Sequence, residues 1–156
     1  MAIAKVLFWL ALIVWLGAIV LFSFVVAPGI FGALPRESAG QVVGALFPRY
    51  YALGALAGAV GLGAAVVLWR AAASPAWVAV SCMLALMLGA TLYAGGIVEP
   101  RARALRPVLY QANVDPGARA EFDRLHRLAV RLNAAVMLLG VASVCVAASS
   151  FELPRR

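Results

Sequence analysis

A single histidine, His126, precedes Asn133 by seven residues. Seven residues make two helical turns, so on a helix both side chains leave from one side, with Phe122 and Ala129 along the same stripe. An imidazole set near an amide and a carboxylate can line a small ligand cavity or serve a membrane enzyme. Glu99, Arg49 and Arg131 fall at a similar depth in the topology derived below, and these five residues form the candidate ligand-binding set. Two readings stay open. Glu99, His126 and Asn133 line a small cavity at the mouth of a bundle, or they cap helix ends and tie the last span to the third.

Cys82, Met83, Met87 and Cys145 form a softer constellation. Thiolate and thioether donors suit Cu(I), which makes these four the candidate metal set. The same residues also serve as plain apolar filler. Both cysteines lie in apolar runs, so no disulfide framework is implied. The chain contains no glycine-rich phosphate loop, zinc-ligand spacing or nucleophile elbow. No catalytic residue is assigned and no cofactor is expected.

The elements that must position these residues are four apolar runs. No Lys, Arg, Asp or Glu occurs between Lys5 and Arg36, Arg49 and Arg70, Arg70 and Glu99, or Arg131 and Glu152. About 20 apolar residues in a helix cover the ~30 Å hydrocarbon core of a bilayer. The 156 residues are 65% hydrophobic and 12% charged, with mean hydropathy +1.00, against ~25% charged for soluble domains. The runs lack the period-2 alternation of barrel strands. The fold expected is all-α: one four-span transmembrane helical bundle over residues 1–156. Its spans lie at about 6–27, 50–69, 76–98 and 132–151, with an amphipathic lead-in helix before spans 2 and 4. Residues 6–27 read as a retained span, since they carry Trp9 and Trp15 and lack an A-x-A site.

Prolines mark the expected boundaries. Pro28-Gly29 ends span 1, and Glu99-Pro100 stops span 3. Pro35-Arg36-Glu37 starts a helix. Pro48 kinks that helix without ending it, because the carbonyl its ring would crowd belongs to residue 44, a glycine. Arg70 to Pro75 is a tight turn, and Asn113-Val114-Asp115-Pro116-Gly117 is a second turn. The two halves share a loose pattern of span, connector, lead-in and span.

Helices in lipid associate through close backbone approach. Gly54, Gly58 and Gly61 on span 2, Gly89 and Gly96 with Ala85 on span 3, and Gly140 on span 4 are the expected packing positions. Trp9, Trp69 and Trp77 on one side, and Tyr50 and Tyr51 on the other, read as aromatic belts. The same glycines also allow a homo-oligomer or a larger membrane complex.

The net charge of +7 does not imply nucleic acid, because the basic residues flank spans. Their partner is the bilayer with its anionic headgroups, at ~1 kcal/mol per basic residue near the surface. Lys5, Arg70, Arg155 and Arg156 lie on one side. Arg36, Arg49, Arg101, Arg103, Arg106, Arg119, Arg124, Arg127 and Arg131 lie on the other. This imbalance puts the long connectors in the cytoplasm of a bacterial inner membrane and both termini outside.

Trp15-Leu16-Gly17, Phe22-Ser23-Phe24-Val25-Val26-Ala27-Pro28, Leu34-Pro35-Arg36-Glu37 and Leu46-Phe47-Pro48-Arg49-Tyr50-Tyr51 carry a family pattern. Phe122, Leu125-His126, Ala129 and Asn133 extend it. Together they resemble the bacterial family called domain of unknown function 4149, related to transmembrane protein 205 of animals. The resemblance runs over essentially the whole chain and implies a four-span membrane protein with no assigned activity. Ala129 stands where the family pattern usually has Ser, which removes one hydroxyl from the stripe. The Trp-Leu-Gly stretch is also similar to haem-linked membrane proteins. Those place a His within a span, and this chain has none there.

The leading expectation is a non-enzymatic protein that binds or helps export a small apolar molecule or soft metal. The alternative is an accessory or assembly subunit of a larger membrane complex, for example a respiratory one. A membrane enzyme built on His126 is the third reading. An internal water-filled cavity favours the first, an exposed glycine-rich face the second, and His126 in a deep pocket beside a carboxylate the third.

Overall fold

Hydrocarbon offers the backbone no hydrogen-bond partner, so each apolar run must satisfy its own amides, and a helix does so. The computed structural model describes residues 1–110, 113 and 115–150. Val114, the end of span 4 at Phe151 and the tail with Arg155 and Arg156 lie outside the described residues. Four helices account for almost everything else: α1 (Ala2–Ala33), α2 (Arg36–Ala72), α3 (Pro75–Leu109) and α4 (Pro116–Ser150). Each is long and apolar enough to cross a bilayer. The lead-ins expected before spans 2 and 4 are the first turns of α2 and α4, continuous with the spans.

Two of the expected boundaries are wrong, for one shared reason. Pro28 does not end α1, and Pro100 does not end α3. Each helix absorbs its proline through a π-helical stretch just ahead of it, Phe22–Val26 in α1 and Ala94–Val98 in α3. There the Ala27 N–H reaches back to the Phe22 carbonyl, and the Glu99 N–H to that of Ala94. The extra residue in the turn widens the helix where a proline ring would otherwise meet a carbonyl. α1 stops instead at Leu34, held extended by Pro35. Pro48 lies inside continuous α2, as its glycine at residue 44 allows.

The turns follow local chemistry. Ala73 adopts φ 48°, a left-handed C-terminal conformation, and its N–H bonds the Trp69 carbonyl at 2.8 Å. Asp115 caps α4, its carboxylate accepting from the Gly117 and Ala118 N–H groups at 3.1 and 3.2 Å.

Each helix packs along its neighbour in sequence, and the α1–α4 contact is the lightest of the four. The core holds Phe8, Leu12, Trp15 and Ile19 of α1 against Leu68 of α2, Trp77, Val80, Leu84 and Met87 of α3, and Val136 of α4. The belt reading fails for Trp77. It is 4% exposed and packs edge-on to Phe8 at 5.1 Å, closing one end of the bundle.

The glycines sort into two groups. A Cβ on Gly58 would lie 2.7 Å from Trp15 and 3.0 Å from Leu88; one on Gly54 would lie 3.1 Å from Trp15 and 3.2 Å from Thr91; one on Gly61 would lie 3.3 Å from Ala11. Gly140 abuts Leu16 and Met87 in the same way. Gly89 and Gly96 do not pack. Both are exposed, with nothing within 4 Å of a Cβ, and Ala85 is exposed on the same side. The bulky row Trp77, Val80, Leu84 and Met87 fills the centre, which leaves Ala85, Gly89 and Gly96 outside it, alongside exposed Leu86, Leu92 and Tyr93.

Candidate functional site

Asn133 is the one side-chain amide in the four charge-free runs, and an unpaired amide in hydrocarbon costs several kcal/mol. It is half-buried and doubly satisfied. Its Nδ2 donates to Ser23 Oγ at 3.1 Å, and its Oδ1 accepts from the Tyr50 hydroxyl at 2.5 Å. One side chain of α4 thereby links α1 and α2. The expected inward orientation of Asn133 holds; the expected partner, the end of α3 near Glu99, does not.

The two π-helical stretches build this site. The α1 stretch carries Ser23 and Phe22, whose ring meets those of Phe47 at 5.4 Å and Tyr50 at 4.9 Å. The α3 stretch carries Gly95, where a Cβ would lie 2.6 Å from that of Tyr51. Tyr50 and Tyr51 are therefore interior residues held between α1 and α3, not belt residues. Beneath the Ser23–Asn133–Tyr50 link lies a cavity of about 20 Å³ touched by all four helices, among them Trp15, Gly54, Thr91 and Val136. That volume suits a single water molecule.

Glu99 forms a separate cluster. It is 4% exposed and held by its own helix: Arg103 Nε donates to Oε1 at 3.0 Å, Arg103 Nη2 pairs with Oε2, and Arg106 Nη2 stands 3.8 Å from Oε1. Arg106 is the residue that sequence reasoning missed. Its guanidinium crosses α2 at Gly44, where a Cβ would lie 2.7 Å from Cζ, and covers the Phe47 ring at 5.7 Å. One turn earlier, Gly40 receives the Tyr110 hydroxyl, 2.5 Å from where a Cβ would sit. Gly40 and Gly44 thus notch α2 for the extended end of α3.

The other candidates lie elsewhere. His126 is exposed and stacks only on Phe122, ring centroids 6.2 Å apart at 6°. At its level α4 rests on α3 alone, through Leu125 against Val98 and Ala102. The direction that meets α1 and α2 at Asn133 opens outward at His126, so the two residues share a stripe but not a cavity. Arg49 and Arg131 are exposed. The metal set does not converge either. Cys82 and Cys145 face outward, whereas Met87 is fully buried beside Gly140. Among the described residues no group of three or more His, Cys, Asp or Glu residues is placed to hold a metal.

Chemically, the centre is neutral. Its hydroxyl and amide groups bond one another, and among the described residues no buried side-chain polar atom lacks a partner. Glu99 is neutralised by two arginines. Ser23 and Tyr50 were legible only as members of quoted motifs; their meeting across two helices had no signal in either segment.

Four apolar helices closed around a satisfied polar link define a multi-pass integral membrane protein of the helical-bundle class. The chain belongs to the family described as Domain of unknown function (DUF4149), whose model matches residues 10–111. The match covers both π-helical stretches and the Glu99–Arg106 cluster. His126 and Asn133 lie beyond its end. No curated protein and no solved structure matches the chain.

Proposed function

We propose that this chain is a non-enzymatic accessory or assembly protein of a bacterial inner membrane, acting by lateral packing against a second membrane protein. The observation that carries this reading is the outward small-residue face of α3: Ala85, Gly89 and Gly96 are exposed at the depth of the lipid. Small residues let helix backbones approach closely, the main source of helix association in a bilayer. The small centre supports the same reading, since a cavity of about 20 Å³ suits a water molecule and not a larger substrate. The test is extraction in mild detergent, followed by mass determination of wild type and of Gly89→Leu. A larger assembly that falls to the single chain in Gly89→Leu, with helicity unchanged, supports the proposal. A wild-type chain that runs alone, or a Gly89→Leu assembly of unchanged mass, defeats it.

A second reading, carriage of a small molecule, draws on the same cavity and its Asn133 link. It requires the link to open. In that case Asn133→Leu abolishes retention of a co-purifying ligand while leaving the melting temperature nearly unchanged.

A further inference from the structure

Two polar side chains of the core make no hydrogen bond among the described residues: the indole N–H of Trp15 on α1 and the hydroxyl of Thr91 on α3. Trp15 is 2% exposed and Thr91 7%. Both belong to charge-free runs, where lipid offers no partner in exchange. No fully enclosed polar atom among the described side chains lacks a partner, so these two open onto the cavity of about 20 Å³ that both line.

Gly54 is what brings them together. A Cβ there would lie 3.1 Å from Trp15 Nε1 and 3.2 Å from Thr91 Cγ2, so the two side chains converge on one point of α2 that a glycine leaves open. Tyr50 lines the same cavity. Its hydroxyl gives its proton to Asn133 Oδ1, and its oxygen keeps a lone pair for a further donor. The cavity thus offers one group that can only donate, the indole N–H, one hydroxyl that can do either, and one acceptor. No anionic group lines it to hold a cation. A buried water makes about three hydrogen bonds to groups left unpaired by the protein, and a polar cavity of roughly 10–15 Å³ or more holds one.

We propose that one ordered water is built into the bundle here, accepting from Trp15 Nε1–H and donating to Thr91 Oγ1 and Tyr50 Oη. α1 and α3 stand diagonally, each lying along α2 and α4. The water joins that diagonal and, through Tyr50, meets the Asn133 link. A single polar network then reaches all four helices. The site lies apart from the outward face of α3 and does not depend on the accessory role.

The test uses the full chain, with 15N-labelled indoles, in deuterated detergent micelles. Cross-relaxation is read between the Trp15 Hε1 proton and the water resonance, the Trp15 peak being identified by its loss in Trp15→Phe. Wild type gives a cross-peak of opposite sign in the laboratory and rotating frames, the signature of a held water as against hydrogen exchange. Gly54→Ala sets a methyl between the two groups while removing neither, and loses the cross-peak. A signal relayed through a hydroxyl would survive that change. Thr91→Val loses the cross-peak, Thr91→Ser keeps it, and Gly89→Ala, on the outer face, keeps it too. Circular dichroism identifies any variant that misfolds; should Gly54→Ala do so, Thr91→Val against Thr91→Ser reads the hydroxyl alone. The proposal is overturned by wild type without the cross-peak, by its survival in a folded Gly54→Ala or in Thr91→Val, by its loss in Gly89→Ala, or by a co-purified molecule other than water in contact with Trp15 Hε1.

Discussion

Asn133 shows how one side chain organises a membrane interior. Its two hydrogen bonds tie α4 to both α1 and α2. Interhelical hydrogen bonds in membranes contribute ~0.6 kcal/mol each on average, up to ~1.7. Asn133→Leu removes both and leaves two hydroxyls without the amide, so a loss of about 1–3 kcal/mol is expected. A thermal melt in detergent measures it, and coupling to Tyr50→Phe in a double-mutant cycle separates the link from simple packing. An unchanged melt would make the link an ornament of a bundle held by its glycines. Glu99 predicts a second effect. Glu99→Gln removes the buried charge that anchors Arg103 and Arg106, and hydrogen bonds to charged groups contribute about 1.5–3 kcal/mol. The extended end of α3 is expected to loosen first, read as faster amide exchange over residues 100–109.

At the scale of elements, the close approaches are set by where a methyl group would collide. Gly58→Leu drives a side chain into Trp15 and Leu88, so loss of expression or a markedly lower melting temperature is expected. Gly89→Leu meets nothing and should leave the monomer intact. Similar melts for the two variants would overturn the assignment of inner and outer faces. Gly44→Ala is a finer probe. The added methyl displaces Arg106 from α2, separating it from Phe47 and shifting it from Glu99. Protease sensitivity of the connector after Leu109 should rise, while the transmembrane core, which Gly44 does not touch, keeps its stability. The π-helical stretches belong to this scale too. They let two prolines sit in continuous helices, and they hold the Tyr50–Tyr51 pair between Phe22 and Gly95.

For the whole molecule, nine basic residues stand on the connector side against four on the other. On the positive-inside rule this imbalance predicts termini outside and connectors in the cytoplasm. Cysteine substituted at Ser38, in a background with Cys82 and Cys145 replaced, should resist an impermeant thiol reagent in intact cells and react after permeabilisation. A cysteine in the C-terminal tail should react at once. The opposite labelling pattern would reverse the topology.

Charge-free runs set the number of spans and their lengths, because hydrocarbon excludes charge and forces helices whatever their neighbours are. Local chemistry also sufficed for the helix start after Pro35, the passage of Pro48 through α2 and the turn at Arg70–Pro75. The ends of α1 and α3 escaped it. A proline stops a helix or is absorbed by a π turn according to what packs against that turn, and here the packing partners are Tyr50 and Tyr51 of another helix. The same holds for orientation around each axis. Gly58 and Gly89 are alike as residues, and so are Asn133 and His126 as points on one stripe. Only the placement of Trp15, Ser23 and Tyr50 made one member of each pair interior and left the other outside.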